Sequence, residues 1–242
     1  MAFQPIVDID RREIFAQEAL VRTAEGGPAG EVFARVDDTN RYAFDQTCRR
    51  VAIRRACDLG LESRLSINFM PNAVYEPANC IRATVAAAEK YGLPLDRIML
   101  EVTESEKVAD HAHLKSIIDE YKRRGFLTAL DDFGAGYAGL TFLAQWQPDV
   151  IKLDMGLTRD IDRDPVRRRI AQAILEFNRD LGITTIAEGI ESPGELESLR
   201  ELGVTLFQGF LLARPVFDRL LGIDEIAWPE DEMRQMGEGV GI

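Results

Sequence analysis

The sequence predicts an α/β fold, a closed (β/α)₈-like barrel in which one antiparallel strand comes from an N-terminal hairpin. The length agrees, since 242 residues, 46% of them hydrophobic, suit one barrel domain. Two apolar runs, 3–7 and 14–21, open the chain, and the charged turn between them is too short to join parallel strands. From residue 65 onwards, strand and helix patterns alternate, which indicates parallel strands with helical crossovers. An open doubly wound sheet is the rival fold.

The elements follow one another in a regular order. A Gly/Pro loop after the hairpin leads to a helical stretch near 41–59. The later strands are predicted at 65–69, 98–102, 126–131, 149–154, 183–188 and 204–210. The helices between them are predicted near 78–91, 110–124, 138–145, 164–181 and 193–202. Glycines of the type that end helices follow five of these helical stretches, at Gly60, Gly92, Gly125, Gly182 and Gly203. We expect a single domain over 1–227 and an acidic, Gly-rich tail over 228–242.

Composition excludes several classes of protein. The net charge of −12 argues against a surface that binds a nucleic acid polymer. The sequence contains no apolar run of 18 residues, so we expect no membrane span, and the N-terminus has no signal-peptide pattern. Cys48, Cys57 and Cys80 form no C-x-x-C pair and are typical of buried thiols in a reducing compartment. We therefore expect a cytoplasmic protein. The abrupt start inside a strand suggests a module of a longer protein, or one that little else precedes.

Polar side chains stand at the end of nearly every predicted strand. They are Glu18, Asn68, Glu101, Asp131 with Asp132 behind it, Lys152 and Asp154, Glu188, and Gln208. In a barrel these strand ends meet on one face, where active sites lie. Burying so many carboxylates together is unfavourable by several kcal/mol per unpaired charge, so cations must neutralise them. Carboxylate and amide oxygens are the ligands that Mg²⁺ or Mn²⁺ prefers.

The adjacent Asp131 and Asp132 would point to opposite faces of a regular strand. Both reach one site only if the strand ends between them, and the turn at Phe133 and Gly134 permits that. One aspartate could then bridge two metal ions while the other binds the second ion alone. Two ions about 3.5–4 Å apart suit in-line attack at phosphorus. The pattern therefore suggests a two-metal site.

Two other interpretations of these residues remain open from the pattern alone. Gly134, Gly136 and Gly139 spell the G-x-G-x-x-G of a dinucleotide-binding turn, but the aspartates at its mouth would repel a pyrophosphate. That interpretation also requires an open sheet and leaves the upstream strand-end acids without a role. A Mg²⁺-dependent barrel enzyme of the enolase type, with Lys152 as base, would instead need a carboxylate substrate.

The motifs resemble the EAL-domain cyclic di-GMP phosphodiesterases over about residues 3–217. The landmarks, in order, are the triplet Glu18-Ala19-Leu20, then SINF (66–69), EVTES (101–105), DDFGAGYAGL (131–140), KLD (152–154), AEGIE (187–191) and QGFLLARP (208–215). The segment NRYAFDQTCRR (40–50) is similar to EAL modules that follow blue-light-sensing BLUF domains. Departures are Val21, Ala135, Ala138 and a short 23–40 loop, and none of them removes a metal ligand.

The resemblance implies a modified TIM barrel that hydrolyses cyclic di-GMP to linear pGpG with two Mg²⁺ or Mn²⁺ ions. It implies first-metal ligands Glu18, Asn68, Glu101 and Asp131, and second-metal groups Asp131, Asp132, Asp154 and Glu188. Lys152 would hold the attacking water, Glu188 would manage its proton, and Gln208 would orient water or substrate. Gln4, Leu20 and Arg22 would contact the substrate, and Glu104 would anchor the 132–140 loop.

The resemblance also implies partners. They are cyclic di-GMP itself, a second copy of the chain in a homodimer that contacts near the 132–140 loop, and a sensor or regulatory domain. A catalytically silent cyclic di-GMP receptor that signals to a partner is the alternative function. Such receptors usually lack metal ligands, whereas here the full set is present.

Overall fold

A computed structural model of the chain describes residues 1–74, 76–103, 111–136 and 139–229. Eight strands close into a ring. In chain order they are β1 (Ala2–Asp8), β2 (Glu13–Leu20), β3 (Arg64–Asn68), β4 (Ile98–Thr103), β5 (Leu127–Phe133), β6 (Val150–Leu153), β7 (Thr184–Ala187) and β8 (Leu206–Phe207). The closed ring confirms the barrel and excludes the open sheet, and with it the dinucleotide-binding interpretation.

The first strand is the antiparallel one, as predicted from the opening hairpin. β1 pairs with β2 on one side and with β8 on the other, both antiparallel, whereas all other neighbours in the ring are parallel. A short strand that the sequence did not reveal, β9 (Val216–Phe217), pairs with the start of β1 outside the ring. β9 has only two residues, too few for a visible alternation of apolar and polar side chains.

Helices connect the parallel strands around the outside of the barrel. They are α1 (Ala29–Phe33), α2 (Arg41–Asp58), α3 (Pro77–Cys80), α4 (Arg82–Tyr91), α5 (His111–Arg123), α6 (Gly139–Gln145), α7 (Met155–Thr158), α8 (Pro165–Asp180) and α9 (Pro193–Glu201). The glycines predicted to end helices all have positive φ, between 69° and 95°. The short helices α1 and α7 were not predicted, because one turn carries little periodic signal.

Two apolar layers hold the barrel together. The larger packs the outer faces of the strands against the helices, and residues such as Ile53, Leu100, Ile151 and Leu199 are fully buried in it. The smaller fills the barrel interior with Ile6, Ala16, Met99, Ala129, Val150, Ile186 and Leu206. Among the described residues, no helix is both long enough and apolar enough to cross a membrane.

The chain end bears on the predicted domain division. Trp228, the first residue of the predicted tail, is 7% exposed, and its indole nitrogen donates to the carbonyl of Ile223. Residues 230–242 lie outside the described residues. The division between residues 227 and 228 therefore stays a prediction.

Candidate active site

The polar residues predicted at the strand ends form one layer of the barrel interior. Except for Asn68, whose counterpart is the buried Ser66, each stands two residues along the chain from an apolar residue of the layer beneath, as Lys152 does from Val150 and Glu101 from Met99. Because side chains alternate along a strand, both members of such a pair point inward. The polar layer comprises Gln4, Glu18, Asn68, Glu101, Asp131, Lys152, Glu188 and Gln208. The apolar layer is thus the floor of a polar site at the C-terminal end of the barrel.

Lys152 occupies the centre of this polar layer and is only 1% exposed. Its Nζ lies 2.7 Å from Glu188 Oε1, 3.0 Å from Asp131 Oδ1, 3.1 Å from Glu101 Oε2 and 3.6 Å from Glu18 Oε2. One cation therefore faces four carboxylates from four strands. A single lysine cannot balance that charge, so the site favours further cations.

Burial and mutual repulsion shift the pKa values of this cluster. Burial raises the pKa of Glu101 to about 8, although Lys152 opposes the shift. Burial raises the pKa of Asp132 to about 6, and the neighbouring negative charge of Asp131 is the next largest cause. Burial also raises the pKa of Glu188 well above its usual range. For Lys152, burial acts to lower the pKa, but Asp131 and the other acids outweigh it and hold the pKa well above the usual lysine range. The lysine is thus cationic, and Glu101, Asp132 and Glu188 hold a proton more readily than ordinary carboxyl groups do, as in many active sites.

Hydrogen bonds between side chains fix the acids. Ser66 Oγ donates to Glu101 Oε1, and Asn68 Nδ2 donates to Glu18 Oε1 at 3.2 Å. Gln208 Nε2 donates to the other oxygen of Glu18 at 2.7 Å. Among the described residues, the buried Gln208 Oε1 has no hydrogen-bond partner. The site therefore holds an acceptor that a bound water or ligand could satisfy.

Asp131 and Asp132 reach the same site by a route that differs from the prediction. The strand does not end between them, because β5 continues to Phe133. Instead, the pairing of β5 with β6 shifts register between Leu130 and Phe133, and Asp132 adopts a left-handed conformation with φ of 55°. A bulge of this kind re-aims side chains next to active sites. The sequence showed the need for a backbone irregularity but not its form.

The bulge brings three acids together at a candidate metal position. Single oxygens of Asp131, Asp132 and Glu188 all lie within 4.8 Å of one another. The nearby Asp154 caps α7, with Oδ1 accepting from the backbone nitrogen of Gly156 at 2.7 Å. A cap of this kind holds a carboxylate in a fixed orientation.

Two cavities flank the acidic cluster and share Glu18. The smaller, of about 270 Å³, is lined by Gln4, Asp132, Asp154, Glu188 and Gln208. The larger, of about 480 Å³, is lined by Leu20, Arg22, Asn68 and Asp131. The four predicted substrate contacts, Gln4, Leu20, Arg22 and Gln208, thus line cavities next to the acids. Glu104, the predicted loop anchor, lies outside the described residues.

The structure adds site residues that the sequence analysis did not select. Ser66 stands two residues before Asn68, so the same alternation that selected Asn68 could have found it. Phe210 lines the smaller cavity and is 45% exposed, with the guanidinium of Arg214 4.1 Å above its ring. Such an exposed aromatic ring suits stacking against a flat ligand group. Its role could not be read from sequence, because it lies in a loop without periodic pattern.

Gly209 places Gln208 against the loop that follows Glu188. A Cβ at Gly209 would stand 2.1 Å from the carbonyl oxygen and 2.3 Å from the nitrogen of Ile190. That backbone is fixed, since Ile190 donates to the carbonyl of Gln208 and its own carbonyl accepts from Leu211. A side chain therefore has no room at this position.

We expect Gly209→Ala to lower the free energy of unfolding by about 3 kcal/mol or more, because backbone must move to admit the methyl group. Urea unfolding of the two proteins measures the change. Gly30→Ala is the matched control, since a Cβ there meets nothing within 4 Å. It lies in α1 and should change stability by less than about 1 kcal/mol. Equal effects at the two positions would contradict the close packing.

Fold and site together define a (β/α)₈-barrel protein with an acidic, lysine-centred site at the C-terminal face. The sequence profile of the EAL domain matches residues 1–215, and the chain belongs to the EAL domain family. It is 34% identical over 230 residues to the blue light- and temperature-regulated antirepressor BluF of Escherichia coli, covering 95% of this chain and 56% of BluF. It is 29% identical to the cyclic di-GMP phosphodiesterase PA2567 of Pseudomonas aeruginosa, covering 91% of this chain and 39% of that protein.

Solved structures agree in fold. The c-di-GMP-bound form of a standalone versatile EAL protein from Vibrio cholerae matches with a TM-score of 0.89 and 50% identity, covering 92% of this chain and 94% of that one. BlrP1 of Klebsiella pneumoniae in its manganese and cyclic di-GMP complex matches with a TM-score of 0.85 and 35% identity, covering 90% of this chain and 56% of that one. The chain thus spans little more than half of BluF and BlrP1, and less of PA2567.

Proposed function

We propose that this chain is a metal-dependent phosphodiesterase that hydrolyses cyclic di-GMP to linear pGpG. The observation that carries the proposal is the cluster of four carboxylates around Lys152, flanked by two cavities. A phosphodiester with a nucleoside on each side suits that arrangement, with the phosphate at the cluster and the two nucleosides in the cavities. The relatives named for this activity, or solved with this nucleotide bound, support the assignment.

The residues present fit divalent cations. The donor set is all oxygen, the acids exceed the single lysine, and oxygens of Asp131, Asp132 and Glu188 converge within 4.8 Å. In the proposal Glu18, Asn68, Glu101 and Asp131 hold one Mg²⁺ or Mn²⁺ ion, and Asp131, Asp132, Asp154 and Glu188 hold the other. Bound ions of this kind supply charge stabilisation at the phosphate and a water of lowered pKa.

The remaining roles fall to side chains of the chain itself. Lys152 Nζ, held by four acids, orients the attacking water and stabilises negative charge at the phosphate. Glu188 Oε1 lies 2.7 Å from that nitrogen and is placed to take a proton from the water. Gln208 Oε1, which lacks a partner among the described residues, orients water or substrate. Arg22 pairs with a phosphate oxygen, while Gln4 and Leu20 contact the nucleosides.

Incubating the purified chain with cyclic di-GMP and Mg²⁺ tests the proposal, with chromatography to follow the product. We expect pGpG, and no product when a chelator is added. No product over hours at micromolar enzyme, with either Mg²⁺ or Mn²⁺, would sink the proposal. Nucleotide binding without turnover would instead favour a receptor.

Metal binding should be visible without substrate. Cations that bind the folded acidic cluster but not the unfolded chain stabilise the protein by mass action. We expect the Tm of the chelator-treated protein to rise by several degrees with millimolar Mg²⁺, about 4 °C for each 1–2 kcal/mol at this size. Ca²⁺ tests whether the site accepts a larger divalent cation. K⁺ at equal ionic strength controls for the general screening of protein charges by salt. An unchanged Tm with both Mg²⁺ and Mn²⁺ would contradict a metal site.

A further inference from the structure

A buried ion pair on α2 lies outside the polar layer of the barrel interior. Asp45 and Arg49 stand one helical turn apart and are 3% and 0% exposed, and Arg49 Nη2 forms a salt bridge with Asp45 Oδ2. Arg49 Nη1 donates to Thr84 Oγ1 of α4 at 3.0 Å. A buried ion pair is often no more stabilising than apolar residues of similar volume. The packing of α2 against α4 therefore does not by itself account for charges at these two positions.

The second oxygen of Asp45 contacts the segment of chain that follows β3. Asp45 Oδ1 accepts from the backbone nitrogen of Met70 at 3.0 Å, although the two residues are 25 positions apart in the sequence. The preceding backbone nitrogen, that of Phe69, donates to the carbonyl of Glu101 at 3.0 Å. The backbone beyond β3 is thus fixed by β4 through one amide and by α2 through the next.

This fixed backbone determines the orientation of Asn68. Asn68 is the last residue of β3, and its side chain is exposed, with Nδ2 donating to Glu18 Oε1 at 3.2 Å. The same cavity, the larger of the two beside the acids, is lined by Asp45, Asn68 and Met70. Because Asn68 has no strand after it, the path of residues 69 and 70 sets where its amide oxygen points.

The ion pair makes Asp45 a charged acceptor in one orientation. Because Arg49 contacts Oδ2, the carboxylate keeps Oδ1 turned towards the backbone nitrogen of Met70. A hydrogen bond to an ionised acceptor is about twice as strong as one between neutral groups. The contact is therefore suited to hold the backbone just beyond Asn68 in place.

We propose that Asp45 is a positioning residue for the metal site. It holds the backbone at Met70, and through it the amide of Asn68, in the orientation that the first ion requires, while Arg49 fixes Asp45. This role rests on the proposed function, which assigns Asn68 to that ion. Residues that support a metal ligand without touching the metal typically change metal affinity by about 10–100-fold when they are replaced.

Calorimetric titration of the metal-free chain with Mg²⁺, without nucleotide, tests the proposal. We expect Asp45→Asn to raise the apparent Kd for Mg²⁺ about tenfold, because an amide has one acceptor oxygen where the carboxylate uses two. Thr84→Val is the matched control, since Thr84 is also fully buried and bonds to Arg49, but it does not contact Met70. The control should leave the Kd within about twofold of the parent, because the bond from Asp45 to Met70 remains.

A double variant removes the same bond without leaving a charge unpaired. Asp45→Leu combined with Arg49→Met replaces both partners by apolar residues of similar size, a change that often leaves a protein equally stable. We expect the same rise of about tenfold in the Kd for Mg²⁺, because the backbone of Met70 again loses its acceptor. Circular dichroism at the temperature of the titration checks that each variant is folded.

Turnover of cyclic di-GMP gives a readout that a purely structural role would not move. In Asp45→Asn the Mg²⁺ concentration for half-maximal turnover should rise about tenfold, whereas kcat at saturating Mg²⁺ should stay within about threefold of the parent, because every ligand is still present.

The calorimetric comparison does not depend on turnover, so the two proposals fail separately. A parent chain that binds neither Mg²⁺ nor Mn²⁺ overturns the proposed metal site and the role of Asp45 with it. A parent that binds Mg²⁺ no more tightly than Asp45→Asn and the double variant overturns the role of Asp45 alone. An equal rise of the Kd in Thr84→Val also overturns it, because loosening of α2 and α4 would then be the cause.

Discussion

Replacing Lys152 with methionine is expected to lower turnover by about 10³-fold or more and to destabilise the metal-free protein. The substitution keeps much of the side-chain volume and removes the positive charge that faces Glu18, Glu101, Asp131 and Glu188. Removing one partner of a buried ion pair leaves the other charges uncompensated, which typically reduces stability by about 3–5 kcal/mol. Protonation of the acids at low pH would relieve part of that loss.

Urea unfolding at pH 7 with a chelator measures the stability, and the pGpG assay measures turnover. Lys122→Met is the matched control, because Lys122 also pairs with an acid, Asp149 at 3.1 Å, but both side chains are about one-third exposed. An ion pair exposed to solvent contributes about 1 kcal/mol or less. Mg²⁺ should recover stability in the Lys152→Met protein but not turnover. Turnover within tenfold of the parent would contradict the central role of Lys152.

The opening hairpin and the repeat of strands and helices predicted the barrel, whereas the alternation of side chains along a strand selected the candidate site residues. An acid two residues after an interior apolar residue has to point inward, so the amino-acid pattern alone places Glu101 and Glu188 inside the barrel. Alternation assigns each residue to a face, but it does not say which strands lie across the barrel. The contact of Lys152 with four acids depends on barrel closure, so it could not be predicted.

The irregular backbone at the end of β5 could not be predicted from the sequence either. The left-handed conformation of Asp132 and the register shift of β5 are not encoded by a glycine at that position, because the sequence places two aspartates there. Aspartate tolerates positive φ better than most residues, and that tolerance alone does not predict a bulge. The sequence therefore allowed the candidate site residues to be selected, whereas the backbone irregularity that brings Asp131 and Asp132 to the same place could not be predicted from it.

Asp131→Asn is expected to abolish turnover while leaving the fold intact. Asp131 combines three contributions: it faces Lys152 at 3.0 Å, it shares a site with Asp132 and Glu188, and it borders the larger cavity. The amide keeps the shape of the carboxylate, but it removes one charge and turns one acceptor into a donor. We expect turnover to fall by about 10³-fold or more, because Asp131 would supply a charged oxygen ligand to both proposed ions.

In the absence of metal, the Asp131→Asn substitution should not lower the free energy of unfolding, although it lowers turnover. Removing one of several crowded acids reduces their repulsion, so the metal-free variant should be at least as stable as the parent. The gain in Tm with Mg²⁺ should shrink, because fewer charged ligands remain. Asp119→Asn makes the same chemical change at an exposed position of α5 that pairs with Lys115, and it should alter neither turnover nor the Mg²⁺ response. An unfolded Asp131→Asn protein, or one with a full Mg²⁺ response, would show that Asp131 supports the fold rather than the metal site.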